Sequence, residues 1–337
     1  MLTANVLPHL QRRGYDCSVI TSQGSFDLPK KDLYLSTPVY RLPFRKALES
    51  GNLQLLSELV ERVAALKRQL APDLIHVFLS DPSFLVHLLT QQAHPLPLVV
   101  SIQNLGFDPS TDRDSLLRRL LMTENRVVGV STFTLRRLHK LVPECVESSS
   151  VIYSGVARPG TQPSQLQIDP PCILCVGRMV RDKGFDLALR ALKTLRSRFS
   201  GIRLQLIGDG PARPELEALT LDLGLQDHVS FAGWVPPERI PAIIDQASLV
   251  AVPSQGSETM SQVAVQASLL ERPVVAPRIG GLPEVILDGT TGLLVNKITV
   301  TIWPPLWHHY FPIRGEPGKW GPGARTRGKE VLFEPLY

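Results

Sequence analysis

Cations follow an apolar run in segment 176–184 (VGRMVRDKG): Gly177 permits a tight turn, and Arg178 and Lys183 come after it. With Asp182 near the start of a helix, these cations and the helix's positive end suit a diphosphate. The plain alternative is a pair of solvated loop charges. In 206–211 (LIGDGP), Gly208 and Gly210 follow a second apolar run and let backbone come close to a ligand. Segment 231–235 (FAGWV) sets Trp234 and Val235 where a nucleobase can rest, although a purely structural tryptophan fits as well.

The richest stretch is 253–261 (PSQGSETMS), where Glu258 falls in a turn beside the amides of Thr259 and Met260, which open a helix. Gln266 lies further along that helix, at most roughly 12 Å from Glu258 at 1.5 Å per residue. That is the span from sugar to ribose in a nucleotide sugar bent over a helix start. Gly280 and Gly281 in 280–285 (GGLPEV), with 288–292 (DGTTG), supply one more glycine turn.

Bringing these turns to one edge takes strands that alternate with helices. Short Val/Ile/Leu-rich runs predict strands at 16–21, 73–79, 98–102 and 126–130, then at 172–176, 203–207, 229–231, 249–252 and 273–276. Apolar residues at helical spacing predict helices at 2–13, 53–69, 132–141, 185–199, 212–223, 237–246 and 262–270. Such alternation specifies α/β architecture with parallel sheets covered on both faces. A Pro/Gln/Ser-rich linker at 159–171 divides two series of this kind. The expectation is two doubly wound, Rossmann-like domains, 1–156 and 157–296, whose sheets face a cleft.

The first series opens in a helix, whereas a doubly wound domain normally starts with a strand and a glycine-rich turn, so that domain is expected to be incomplete. The rhythm stops after Val295. Segment 297–337 holds three of the four tryptophans and shows no helical or strand period, which makes it an irregular, foreign-looking tail.

Hydrophobic content of 43% with 20% charged residues excludes a disordered chain. No apolar stretch nears the roughly 18–20 residues that span a bilayer, and the first residues lack a signal peptide's pattern. A cytoplasmic protein is expected, with a peripheral contact at the inner membrane face left open. The net charge is +5, of which the tail's six Lys/Arg and three Glu supply +3. The remaining +2 is no basic stripe, and no nucleic-acid partner is expected. Cys172 and Cys175 form a CxxC, but they lie in an apolar strand, where residues three apart point to opposite faces. Buried reduced thiols are the better reading, and no His or Cys set of zinc spacing completes a metal site.

In this order, the motifs resemble glycosyltransferase family 4 (group 1), retaining enzymes of the GT-B fold. The resemblance rests on Gly177-Arg178, Lys183-Gly184, the PSxxE-like run ending at Glu258 with one extra residue, and the GGLPE of 280–284. It covers about 125 residues closely and the first half loosely. It implies a hexosyltransferase without a metal or other cofactor, using a UDP-, GDP- or ADP-sugar. It further implies that Arg178 and Lys183 hold the donor diphosphate and that the amides of Thr259 and Met260 face the phosphates. Glu258, the catalytic candidate, would contact hydroxyls of the transferred sugar. Gly177, Gly208, Gly210, Trp234, Val235, Gln266, Gly280 and Gly281 complete the donor set. The acceptor would be a sugar, a lipid-linked sugar or a small molecule, chosen by loops around 104–115 that carry no readable motif.

The sequence departs from the family where Gln266 replaces a second Glu, where Phe78 and Gln103 replace histidines, and in the glycine loop ahead of the first helix. His76 reads as a buried strand residue. These departures open a second expectation, a non-enzymatic remnant that binds nucleotide. A GT-B phosphorylase or nucleotide-sugar epimerase shares the architecture, but the PSxxE and GGxPE run does not suit it.

Overall fold

The computed structural model describes residues 2–23, 28–79, 84–91, 95–103, 118, 121, 126–160, 162–199, 201–256 and 258–296. The tail 297–337 and the whole loop 104–115 fall outside these residues, and so do the expectations placed on them. The chain divides into two compact units between Gly155 and Val156.

Unit 1 carries two sheets. β1 (Val19–Ser22), β2 (Lys31–Tyr34) and β3 (Thr37–Leu42) form one in the order β1-β3-β2. β4 (Ile75–Leu79), β5 (Leu98–Ile102), β6 (Arg126–Gly129) and β7 (Ser149–Val151) form the other, in sequence order and all parallel. β1 runs parallel to β3, while β2 returns antiparallel through Leu35 and Ser36, whose φ values are 47° and 65°. Two left-handed turn residues match the twist of a two-residue hairpin. β2, β3 and β7 were not expected from the sequence, because short strands broken by Lys, Pro and Ser carry little alternation. His76, expected to be buried in its strand, is exposed, on a strand that among the described residues pairs with β5 alone. Its Nε2 still shares a 2.7 Å hydrogen bond with Ser101 Oγ, and its ring stacks on Phe78 at 4.2 Å.

Helix Leu53–Leu70 starts where the Asn52 side chain accepts from Leu55 N at 2.9 Å, and it ends at left-handed Ala71. Its Leu59, Val63 and Leu66 pack with Tyr40 and Leu42 of β3. The same helix buries Lys67, 6% exposed, whose Nζ donates to Thr90 Oγ1 at 2.7 Å and lies 3.2 Å from His87 Nδ1. His87, 8% exposed, leaves its Nε2 without a partner among the described residues.

Burial lowers the Lys67 ammonium to about 8. Burial, and then the charge of Lys67, pulls His87 down to about 4. Between that value and the unfolded value near 6.5, the unfolded chain binds the extra proton, so stability falls as pH drops through this window. The expected slope is up to about 1.4 kcal/mol per pH unit. Denaturant midpoints of wild type and His87→Leu measured from pH 7 to 4 check it, since the variant should lack this slope.

Among the described residues, unit 2 holds a parallel sheet of β8 (Cys172–Val176), β9 (Arg203–Ile207), β10 (Val229–Gly233), β11 (Leu249–Ala251), β12 (Val274–Pro277) and β13 (Gly292–Val295). Their order is β10-β9-β8-β11-β12-β13. This is the doubly wound arrangement in which the first and fourth strands lie side by side at a switch point. Alternate residues supply two cores. Ile173, Cys175, Leu204, Leu206, Leu249 and Ala251 face one core, and Leu174, Ile207, Val250, Val274 and Ala276 face the other. Both faces are apolar because helices cover both. β13 was not expected, since its four residues directly follow the DGTT turn.

Cys172 and Cys175 are free thiols, and burial raises both above the ordinary range. The linker is not loose at Ser164: its amide donates to Asp245 Oδ1 at 3.0 Å. Arg272, its side chain 1% exposed, reaches the Ser164 carbonyl and hydroxyl at 2.8 and 2.9 Å and Asp245 Oδ1 at 2.8 Å.

Candidate functional site: the carboxyl edge of the unit 2 sheet

The turns after β8 and β11 meet because those strands are neighbours. Their contact is close enough to need glycine: Gly184 has φ 66°, and a Cβ there would lie 2.1 Å from the Pro253 carbonyl oxygen. The Gln255 amide donates to the Asp182 carbonyl at 2.8 Å, tying the two turns together. Across this junction Lys183 Nζ donates to Glu258 Oε2 at 2.6 Å, and Ser254 Oγ donates to the same oxygen at 2.9 Å. Gly281 N donates to the Glu258 carbonyl at 2.7 Å, and a Cβ on Gly280 would lie 2.0 Å from that carbonyl oxygen. Glu258 is therefore held by backbone from the 280–281 turn and by side chains from the other two.

The turns after β8, β9 and β10 are stacked in the same manner. Gly177 N donates to the Ile207 carbonyl at 2.9 Å, Met179 N to that of Asp209 at 2.8 Å, and Gly208 N to that of Gly233 at 2.8 Å. Gly208, at φ 123°, leaves no room for a side chain, since a Cβ would sit 1.9 Å from the Gly177 carbonyl oxygen. Gly210 is similarly crowded by the Met179 carbonyl at 2.5 Å.

Arg178 is exposed and makes no ion pair among the described residues. Trp234, 70% exposed, follows β10, and Val235 packs against the second core. Thr259 and Met260 precede helix Gln262–Leu269, whose cap is Ser261, its hydroxyl accepting from Ala264 N. They therefore lie just before the helix rather than inside its first turn. Gln266 sits on that helix with Oε1 buried and accepting no hydrogen bond among the described residues.

The structure thus joins Lys183, Glu258, Gly280 and Gly281 directly, and stacks Gly177, Gly208 and Gly210 on adjacent turns. Neither Trp234 nor Gln266 is hydrogen-bonded to the Lys183–Glu258 pair among the described residues. The sequence reading missed Ser254 and Gly184. Ser254 stood beside Pro253 in the PSxxE-like run, and Gly184 stood beside Lys183, so both were legible as motif residues but not as parts of one junction. Among the described residues, no cluster of three or more His, Cys, Asp or Glu could hold a metal ion. No described helix is long and apolar enough to cross a membrane.

The family description "Glycosyl transferases group 1" matches residues 170–301, and "Glycosyltransferase Family 4" matches residues 2–158. The chain belongs to the group 1, family 4 glycosyltransferases. One relative of this chain is the GDP-mannose-dependent α-(1-6)-phosphatidylinositol monomannoside mannosyltransferase of Mycolicibacterium smegmatis. It is 39% identical over 138 residues, covering 39% of this chain and 36% of the relative. A D-inositol 3-phosphate glycosyltransferase of Rhodococcus erythropolis is 31% identical over 236 residues, covering 64% of this chain and 52% of the relative. The chain spans about a third to a half of the length of these curated relatives. Among solved structures, sucrose-phosphate synthase from Thermosynechococcus elongatus matches with a TM-score of 0.78 at 21% identity, covering 96% of this chain and 86% of that one. Anabaena HepE, in complex with UDP and glucose, matches with a TM-score of 0.67 at 21% identity, covering 88% and 82%. At that identity the likeness shows the GT-B architecture alone.

Proposed function

We propose that unit 2 binds a nucleoside diphosphate sugar and that the chain transfers the hexosyl group, with retention, to a sugar, lipid-linked or small-molecule acceptor. The observation that carries this reading is the Lys183–Glu258 pair at the switch point, held by Ser254 and the 280–281 turn. In the reaction the bond between the anomeric carbon and the diphosphate oxygen breaks, the acceptor oxygen takes its place, and the acceptor's hydroxyl proton passes to the departing diphosphate. The diphosphate leaves with growing negative charge. Arg178 and Lys183 supply cations that stabilise it without a metal, and Lys183, already oriented by Glu258, need not reorganise as the bond breaks. Glu258 accepts hydroxyls of the sugar. A relative named for GDP-mannose favours GDP-mannose as the first donor to try. The setting proposed is the cytoplasm or the inner membrane face.

Thermal denaturation with millimolar UDP, GDP, ADP and GDP-mannose tests the donor site. A ligand at a hundred times its Kd stabilises the folded state by about 2.7 kcal/mol, so at least one should raise Tm by several degrees. No shift with any of them removes the proposal.

A second reading, a nucleotide-binding remnant without transfer, is favoured by Gln266. A neutral amide gives ribose hydroxyls weaker bonds than a carboxylate does, by about 1 kcal/mol. Its orphaned Oε1 is an acceptor that a ribose hydroxyl would satisfy. Gln266→Glu should therefore tighten nucleotide binding about fivefold, and weaker binding would count against the ribose assignment. Transfer and donor-hydrolysis assays across a donor panel separate the two readings.

A further inference from the structure

The run that ends at Glu258 is one residue longer than the PSxxE pattern, and residues 253–256 of it lie against the turn that carries Lys183. Three alternate residues beside Lys183 meet them: Asp182, Gly184 and Asp186. The Asp182 carbonyl accepts from Gln255 N at 2.8 Å and from Gly256 N at 3.3 Å. Gly256 packs on the Asp182 side chain, since a Cβ there would sit 3.2 Å from Asp182 Cβ and 3.4 Å from its Oδ2. Gly184 makes room for the Pro253 carbonyl and also for the Gln255 side chain, whose Cγ would lie 3.3 Å from a Cβ on that glycine. Past Gly184, Gln255 Nε2 donates to Asp186 Oδ1 at 3.3 Å, in the first turn of helix Phe185–Leu195.

Lys183 sits between these contacts and reaches further along the same run, to Glu258 Oε2. The pair is only partly enclosed, with side chains 32% and 12% exposed. Two long side chains keep one geometry at such a place only when the backbones beneath them are in register, because each gives up rotamer freedom to form the pair. From behind, the 280–281 turn holds the Glu258 backbone through Gly281 N. From ahead, the contacts of Gln255 and Gly256 set how far the run has advanced along the Lys183 turn.

We propose that Gln255 and Asp186 are positioning residues. The Gln255 carboxamide, fastened to Asp186, keeps the Glu258 run in register with the Lys183 turn and so keeps the carboxylate on the ammonium. Both act through Glu258 and not on the reacting atoms. This rests on the nucleotide-sugar reading only for what Glu258 binds. With the fastening cut, the run slides on the exposed Asp182, and Glu258 leaves Lys183 for part of the time. The transferred sugar then loses its preset carboxylate, while the diphosphate keeps its cation.

Lys183 reports on its partner without any ligand, because an amine-acylating reagent needs the amine free of its carboxylate. Acylation rates are read by mass spectrometry in wild type, Gln255→Ala, Asp186→Ala and Asp186→Asn, the last of which still offers the carboxamide an oxygen. Glu258→Gln gives the rate of a released Lys183, and Lys193, whose Nζ donates to the Leu223 carbonyl at 2.8 Å, is the internal control. Both alanine variants should acylate Lys183 roughly threefold faster, the worth of one hydrogen bond, and Asp186→Asn should match wild type. An unchanged Lys183 in either alanine variant, or a parallel rise at Lys193, overturns the proposal. Isothermal titration of Gln255→Ala should weaken GDP-mannose roughly threefold and leave GDP within about twofold of wild type. Equal weakening of both ligands also overturns it. A wild type that binds neither removes the donor reading instead, and the acylation rates still decide the register.

Discussion

Arg272→Ala should lower the stability of unit 2 by about 3–5 kcal/mol, seen as a fall in the denaturant midpoint of that unit. The guanidinium is almost completely enclosed, and its Nε also donates to the Asp245 carbonyl at 2.8 Å. Truncation leaves the Asp245 carboxylate without its cation and several acceptors without donors, and that unpaired remainder is what makes the loss large. Arg272→Lys should recover little, since a point ammonium cannot make the fork of bonds to Ser164 and Asp245. Arg181, whose bidentate contact with Glu215 is fully exposed, is the matched control, and Arg181→Ala should leave the midpoint where it is. A midpoint for Arg272→Ala equal to that of the control would show that the linker strap contributes nothing.

Lys183→Ala should weaken nucleoside diphosphate binding about ten- to a hundredfold, the range for losing a hydrogen bond to a charged group. Two effects add. The phosphate loses its cation, and Glu258, now without its 2.6 Å partner, presents an uncompensated carboxylate to an anion. Combining Lys183→Ala with Glu258→Gln should return part of the affinity for the plain diphosphate by removing the repulsion, while the preference for the sugar nucleotide is lost. Isothermal titration with UDP, GDP and GDP-mannose reads both variants, and Arg178→Ala beside them. If Arg178→Ala and Lys183→Ala both bind like wild type, the diphosphate lies elsewhere.

The legible parts of the fold share a physical cause. β8, β9 and β5 were read to the residue because a strand covered on both faces is predominantly apolar, with Arg203, Gln205 and Ser101 the polar residues among them. Helix Thr132–Leu141 was read to the residue as well, its start marked by the Ser131 hydroxyl that accepts from Thr134 N. Helix Phe185–Leu195 was overextended to 199 because Phe199 continues the apolar pattern after the chain has left the helix. β2 could not be seen, since a wholly exposed hairpin arm answers to its turn and not to a core. At the site, each turn was recognisable by its glycines and charges. The junction was not, because Lys183 and Glu258 meet only through the neighbouring of first and fourth strands, a property of sheet order rather than of any local run. The burial of Lys67 with His87 had no sequence signal at all: a lysine near the end of an amphipathic helix ordinarily stretches to water.

The two thiols of β8 give unit 2 a built-in clock. Cys175 is fully enclosed in the centre of the sheet, and Cys172 is half-buried at the strand's start. An alkylating reagent needs the thiolate, and burial holds both thiols protonated. Cys172 can be modified when the strand end frays, whereas Cys175 must wait for the whole sheet to open. The ratio of the two labelling rates, read by mass spectrometry of one peptide, then reports how far local fraying of unit 2 is separated from its global opening.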